Sequence, residues 1–224
     1  MTRVGGGPLS EMGGIFSGMI DAGNSQSVVN ALGQAPLDAI GKAVGLTRTD
    51  LNTYRSSLPA IAARHSQRGM LNWVHDQFFA HVRAQFETHV DATSVLDREP
   101  TRDIFVGETF RLRFKKHSDD DMVSSYPTDG FLGFVSQDDP QLIQEVRLIG
   151  GYRWDPETRE IGTAVLSARD GKRKVLWVVE LAETASDDNG VVHFQPQVSD
   201  QSLPSLPEIV TPVEVEIEKD AGSE

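Results

Sequence analysis

The sequence predicts an α+β domain in which a long helix packs on an antiparallel sheet of four to five strands. Three observations predict it. Apolar residues recur at helical spacing from Ala60 to about His89. Residues Phe110, Leu112 and Phe114 alternate without a break with Arg111, Arg113 and Lys115, the period of a half-buried strand. A meander follows, with strands at 145–154, 160–168 and 174–181 separated by turn residues Asp155-Pro156 and Asp170-Gly171.

Taken in order, residues 1–36 are rich in Gly, Ser, Asn and Gln without a sustained period, and are expected to be a flexible arm with at most one weak helix. Residues 37–59 are expected to hold short helices. Leu37, Ile40 and Val44 share a face in the first, and Thr49 or Asp50 caps the next. Pro59 opens the main helix, whose inner face is Ile61, Met70, Trp73, Val74, Phe78, Val82 and Phe86. Gly69 within it marks a kink or a close contact.

Residues 91–103 are read as a polar connection. Ile104–Val106 then pairs with the basic strand as a hairpin about Gly107-Glu108, or leads into it. Residues 118–125 form an acidic surface loop, and 127–143 read equally as helix or irregular structure. In the last strand, Val175, Trp177 and Val179 alternate with Leu176, Val178 and Glu180. It is apolar on both faces and is expected to be central. The core domain therefore spans 60–182, and 183–224 is expected to be a disordered acidic tail. Within that tail, Val213–Glu218 alternates as a strand that could add to a sheet edge.

Charge is distributed unevenly. The formal total is −12, yet residues 183–224 hold ten acids against one base, Lys219. That leaves a nearly neutral body with one cationic strand, a pattern that disfavours generic coating of DNA. There is no cysteine, so disulfides, thiolate metal sites and a cysteine nucleophile are excluded. No apolar run reaches the roughly 18–20 residues of a membrane helix, and Ile15–Ile20 is too short for a signal sequence. A cytoplasmic protein is expected.

Arg111, Arg113, Lys115 and Lys116 are the leading candidates for contact with a partner. Cations about 6–7 Å apart on one strand face match successive phosphates or a row of carboxylates. Lys172, Arg173 and Lys174 at a later turn would extend the patch. The plainer alternative is a solvated face, or one paired to acids of neighbouring strands such as Glu145 or Glu160. Folding of the acidic tail back over the patch is a further possibility.

No metal, cofactor or catalytic set is expected. His65, His75, His81 and His89 lack the i, i+4 spacing of helical metal sites. A calcium loop starting at Asp119 would end on Gly130 rather than Glu. Neither a phosphate-binding loop nor a nucleophile elbow is present. Tyr152, Trp154 and Trp177 read as packing residues rather than a platform for bases. A metal-dependent nuclease would have to use Glu145 and Asp103, but Glu145-Val146-Arg147 carries Arg where that pattern needs Lys.

Several words occur in a recognisable order: Arg68-Gly69-Met70-Leu71-Asn72-Trp73, Leu112-Arg113-Phe114-Lys115-Lys116, Gly151-Tyr152 with Thr163, then Gly171 and Trp177. Over about residues 60–182 the chain resembles an uncharacterised bacterial family of small proteins. They are encoded beside XRE-type regulators that carry IrrE/ImmA-type metallopeptidase domains. Such pairs resemble toxin–antitoxin and phage-defence modules. The chain departs from the family at Tyr126-Pro127-Thr128-Asp129-Gly130, where an Ile-Pro-Thr-Gln-Gln-like segment is usual.

The resemblance implies a cognate partner protein encoded nearby and supplies no catalytic residues. The function expected is a non-catalytic, antitoxin-like binding component. The alternatives are the nuclease and a nucleic-acid-binding accessory protein.

Overall fold

The computed structural model describes residues 20–98, 101–123, 125, 128–136 and 145–183. The proposed acidic tail beyond Glu183, with its alternating 213–218 segment, and the first part of the Gly-rich arm lie outside the described residues. Helices α1 (Ser25–Leu32), α2 (Gln34–Ser57), α3 (Pro59–Ala62) and α4 (Gln67–His89) precede strands β1 (Thr93–Arg98), β2 (Thr101–Val106) and β3 (Phe110–His117). Helix α5 (Asp129–Val135) then leads to β4 (Val146–Asp155), β5 (Glu160–Arg169) and β6 (Val175–Leu181).

The strands form one sheet in sequential order, β1-β2-β3-β4-β5-β6. An α+β class is thus correct, but the sheet has six strands and is mixed. Neighbours are antiparallel except β3 and β4, which run parallel with Phe110 beside Val146 and His117 beside Arg153. A parallel pair cannot be closed by a tight turn, and the crossover between them holds α5. The hairpin about Gly107 is present, with Ile104 opposite Leu112. The expected polar connection at 91–103 instead holds β1 and the start of β2.

The helical half also differs from expectation. Residues 37–57 lie in one continuous helix, because Thr47 and Thr49 do not cap a new one. Their hydroxyls donate to the carbonyls of Ala43 and Gly45 inside the helix. The main helix is interrupted: Ser66 caps α4 by accepting a hydrogen bond from the Gly69 amide at 3.1 Å. Gly69 therefore marks a helix start, and a Cβ there would lie 3.2 Å from His65 Nδ1. The short helix α1 falls within the stretch read as an arm, and Val28, Val29 and Leu32 place it in the core.

One sheet face supports α2 and α4. Met70, Val74, Phe78, Val82 and Phe86 recur along α4 and meet Phe110, Leu112 and Phe114 of β3, with Phe78, Phe79 and Phe86 rings around Phe114. The apolar half of the alternation is thus core, as the period requires. On the opposite face, α5 packs Phe131, Phe134 and Val135 against Ile149 and Val123. β6 lies at the end of the sheet rather than its centre. Its two-sided apolar character arises because Val179 faces the α2–α4 core while Val178 is buried on the other face.

Candidate functional site

The basic strand does not present a row of free cations. Asp103 of β2 stands opposite Arg113 of β3 and is completely buried. Its carboxylate accepts two hydrogen bonds from Arg113 (2.6 and 2.8 Å) and two from Arg111 (2.8 and 2.6 Å). Arg111 also lies 3.6 Å from Glu145. Phe134 covers Arg113, whose guanidinium sits 4.0 Å over the ring. Two cations selected as docking residues are therefore structural, and the expectation that they face outward is corrected. A carboxylate desolvated inside a sheet needs such partners, and the crossover helix supplies the lid.

Arg147 belongs to the same assembly. It bonds Glu145 at 2.7 Å and donates to the carbonyls of Gly133 and Ser136 at the end of α5, groups left without helical partners. Asp103 and Glu145, the carboxylates of the nuclease alternative, are thus both held by guanidinium groups. Further along this face, Arg153 bonds Asp121 at 2.9 Å and also Glu180. The acidic loop is partly recruited inward for that purpose.

Lys172, Arg173 and Lys174 do not extend the strand's cationic patch. Arg169 and Val175 flank their turn, whereas Lys116 lies beside Tyr152 and, through it, Ala164. Five residues of β5 separate the two places, roughly 16 Å along the strand. Lys174 is paired to Asp170 at 2.6 Å.

Lys115 and Lys116 remain. They line a cavity of about 550 Å³ together with Gln67, Arg68, Leu71, Asn72, His75 and Tyr152. Residues 68, 71, 72 and 75 occupy one stripe of α4, because helical neighbours recur every three to four positions. Lys116 and Tyr152 stand side by side on the parallel strands β3 and β4. Among the described residues, every charged side chain in the lining is basic.

Electrostatics inside the cavity follow from burial and like charge. Burial, with a lesser effect of the Arg113 charge, pushes the Lys115 ammonium below its ordinary value; burial does the same to Lys116. His75 is pushed down to about 4 by burial and by the Lys115 and Arg102 charges, so it is neutral at pH 7. Tyr152 is 1% exposed, and its ring meets Phe78 edge-on at 5.2 Å. Burial pushes its phenol upward. The hydroxyl makes no hydrogen bond to a described residue, and its oxygen keeps solvent contact at the cavity wall.

No family model, curated protein or solved structure matches the chain. The cavity offers hydrogen-bond donors and positive charge to an anion. Among the described residues its lining holds no carboxylate base and no serine nucleophile. A histidine–serine pair, His117 Nε2 and Ser167 Oγ at 3.1 Å, is sealed within the sheet, and Ser167 donates to the Ile149 carbonyl. No group of three metal-ligating side chains is assembled among the described residues, and none of their helices is long and apolar enough to cross a membrane.

Arg68, Asn72, His75 and Tyr152 were not among the sequence candidates. The first three carried a usable signal, their shared helical stripe. Tyr152 carried none, because a buried aromatic on a strand reads as packing.

Proposed function

We propose that the protein is a non-catalytic binding component, antitoxin-like, of a bacterial toxin–antitoxin or phage-defence module. Its partner would be a cognate protein encoded nearby, and the resemblance implies one with an XRE-type regulator and an IrrE/ImmA-type metallopeptidase domain. The observation that carries this reading is the state of Lys115 and Lys116. Both sit on a rigid strand with no ion pair to a described residue, while the strand's arginines are neutralised by Asp103 and Glu145. An acidic segment of a partner would complete them, steered by long-range charge.

The nucleic-acid alternative uses the same lysines but has no fully exposed aromatic side chain among the described residues to stack on bases. The nuclease alternative would need carboxylates released from the arginines that hold them.

The test is co-expression with the neighbouring gene product. The double variant Lys115→Glu/Lys116→Glu should lose co-purification while keeping the wild-type circular dichroism spectrum. Retention of the full complex by that variant would overturn the reading.

A further inference from the structure

We infer that the cavity between α4 and the β3–β4 seam is a site for a small phosphate ester of about mononucleotide size. The inference rests on the reading of this region as a binding rather than a catalytic site, and names the ligand class that it takes.

Size is the first argument. A volume of about 550 Å³ lies within the range of about 300–1,000 Å³ that encloses small organic ligands. Charge is the second. Among the described residues, Arg68, Lys115 and Lys116 line the cavity without any acid, so a dianion would offset the desolvation that depresses both lysines and the Arg113 and Arg102 charges that lower Lys115 further. A carboxylic acid carries one charge and two oxygens, whereas a phosphate monoester offers three terminal oxygens and up to two charges.

Donor geometry is the third. Gln67 and Arg68 occupy the first turn of α4, where amides have no helical acceptor. Ser66 satisfies only the Gly69 amide, which leaves the positive end of a long helix at the cavity rim. Asn72 adds a side-chain amide.

Tyr152 supplies the independent observation. A phenol that is almost wholly buried ordinarily finds a partner within the protein. Here the hydroxyl has none among the described residues and opens to the cavity instead. As a neutral donor on the floor, it matches a phosphoryl oxygen. Neutral His75 can donate through one ring nitrogen without adding charge.

The test is calorimetric titration of the full chain with inorganic phosphate, ribose 5-phosphate, adenosine 5′-monophosphate and a single-stranded DNA oligonucleotide. The phosphate esters should bind saturably, more tightly than inorganic phosphate, and more weakly at higher salt. Lys116→Gln should weaken adenosine 5′-monophosphate by more than tenfold. Tyr152→Phe, which removes only the hydroxyl, should weaken it about tenfold, and Lys172→Gln should leave it unchanged.

Absence of saturable binding at millimolar ester would overturn the inference, as would equal affinity in the Lys116 and Tyr152 variants. Tighter binding of the oligonucleotide would overturn it in favour of nucleic acid. Tyr152→Phe also separates the two proposals. It should spare a partner protein's contact with the lysine heads, so complex formation and ester binding can fail independently.

Discussion

Arg113 holds its guanidinium 4.0 Å above the ring of Phe134, which joins a sheet strand to the crossover helix through a cation and an aromatic face. The other side of the same group is bonded to buried Asp103. The arrangement compensates two burials at once: Asp103 loses water but gains four donors, and Arg113 loses water but gains a carboxylate and a π-face.

Removal of the carboxylate should be severe. Asp103→Ala leaves Arg113 buried, with Arg111 beside it, and no shared counter-charge. The expected loss of stability is about 3–5 kcal/mol, measured by urea unfolding. A loss below about 1 kcal/mol would show that the arginines relax to solvent and that the pairing contributes little.

Acid should weaken the fold before its carboxylates titrate. Burial, with the nearby charges of Arg169 and Arg153, pushes His117 down to about 3, and His75 is held at about 4. In the unfolded chain each takes its proton near about 6.5. The folded state therefore binds fewer protons. Stability should be complete above about pH 6.5 and fall continuously as pH drops toward the folded values. For His117 the loss between pH 6.5 and 5 is about 2 kcal/mol. Urea midpoints at pH 7.5 and 5.0 check it, and His117→Asn should flatten the dependence.

Two glycines should respond in opposite directions to alanine. A Cβ on Gly151 would lie 1.8 Å from the Lys115 carbonyl oxygen across the parallel seam, and backbone cannot yield to it cheaply. Gly151→Ala should cost more than about 3 kcal/mol or abolish soluble expression. Gly133, inside α5, has nothing within 4 Å of the added carbon. Gly133→Ala should stabilise the protein by about 0.5–1 kcal/mol. Thermal unfolding compares the pair.

Loss of the α4 cap should be local and moderate. Ser66→Ala removes the acceptor of the Gly69 amide at an expected cost of about 1 kcal/mol. Hydrogen exchange should accelerate at the Gly69 and Met70 amides, and much less at Phe78 or Val82. Uniform acceleration along the helix would contradict a terminal effect.

What could be read in advance divides along physical lines. Alternation at Phe110–Lys116 and the turns at Asp155 and Asp170 located their strands to within a residue or so, because period and turn chemistry are local. The parallel join of β3 to β4 was not legible. Nothing in either strand specifies the direction of its neighbour, and the intervening residues gave an ambiguous pattern. The fate of the arginines was hidden for a related reason. Alternation identifies which residues point away from the helices, but not that a second helix waits on that side. Asp103 was lost in a segment read as polar connection, though it is the residue that decides whether Arg111 and Arg113 are free. Lys115 and Lys116 lie beyond the last β2–β3 pair, Asp103 with Arg113, so they escape the same neutralisation.

The single parallel seam divides the sheet into two zippers. β1–β3 and β4–β6 can each close by successive short-range hairpins, but their union must wait until the crossover chain has been gathered in. Joining them fixes the longest loop of the sheet in one step, and loop closure of that kind slows folding. The protein would then assemble as two ready-made halves, with their edges meeting last.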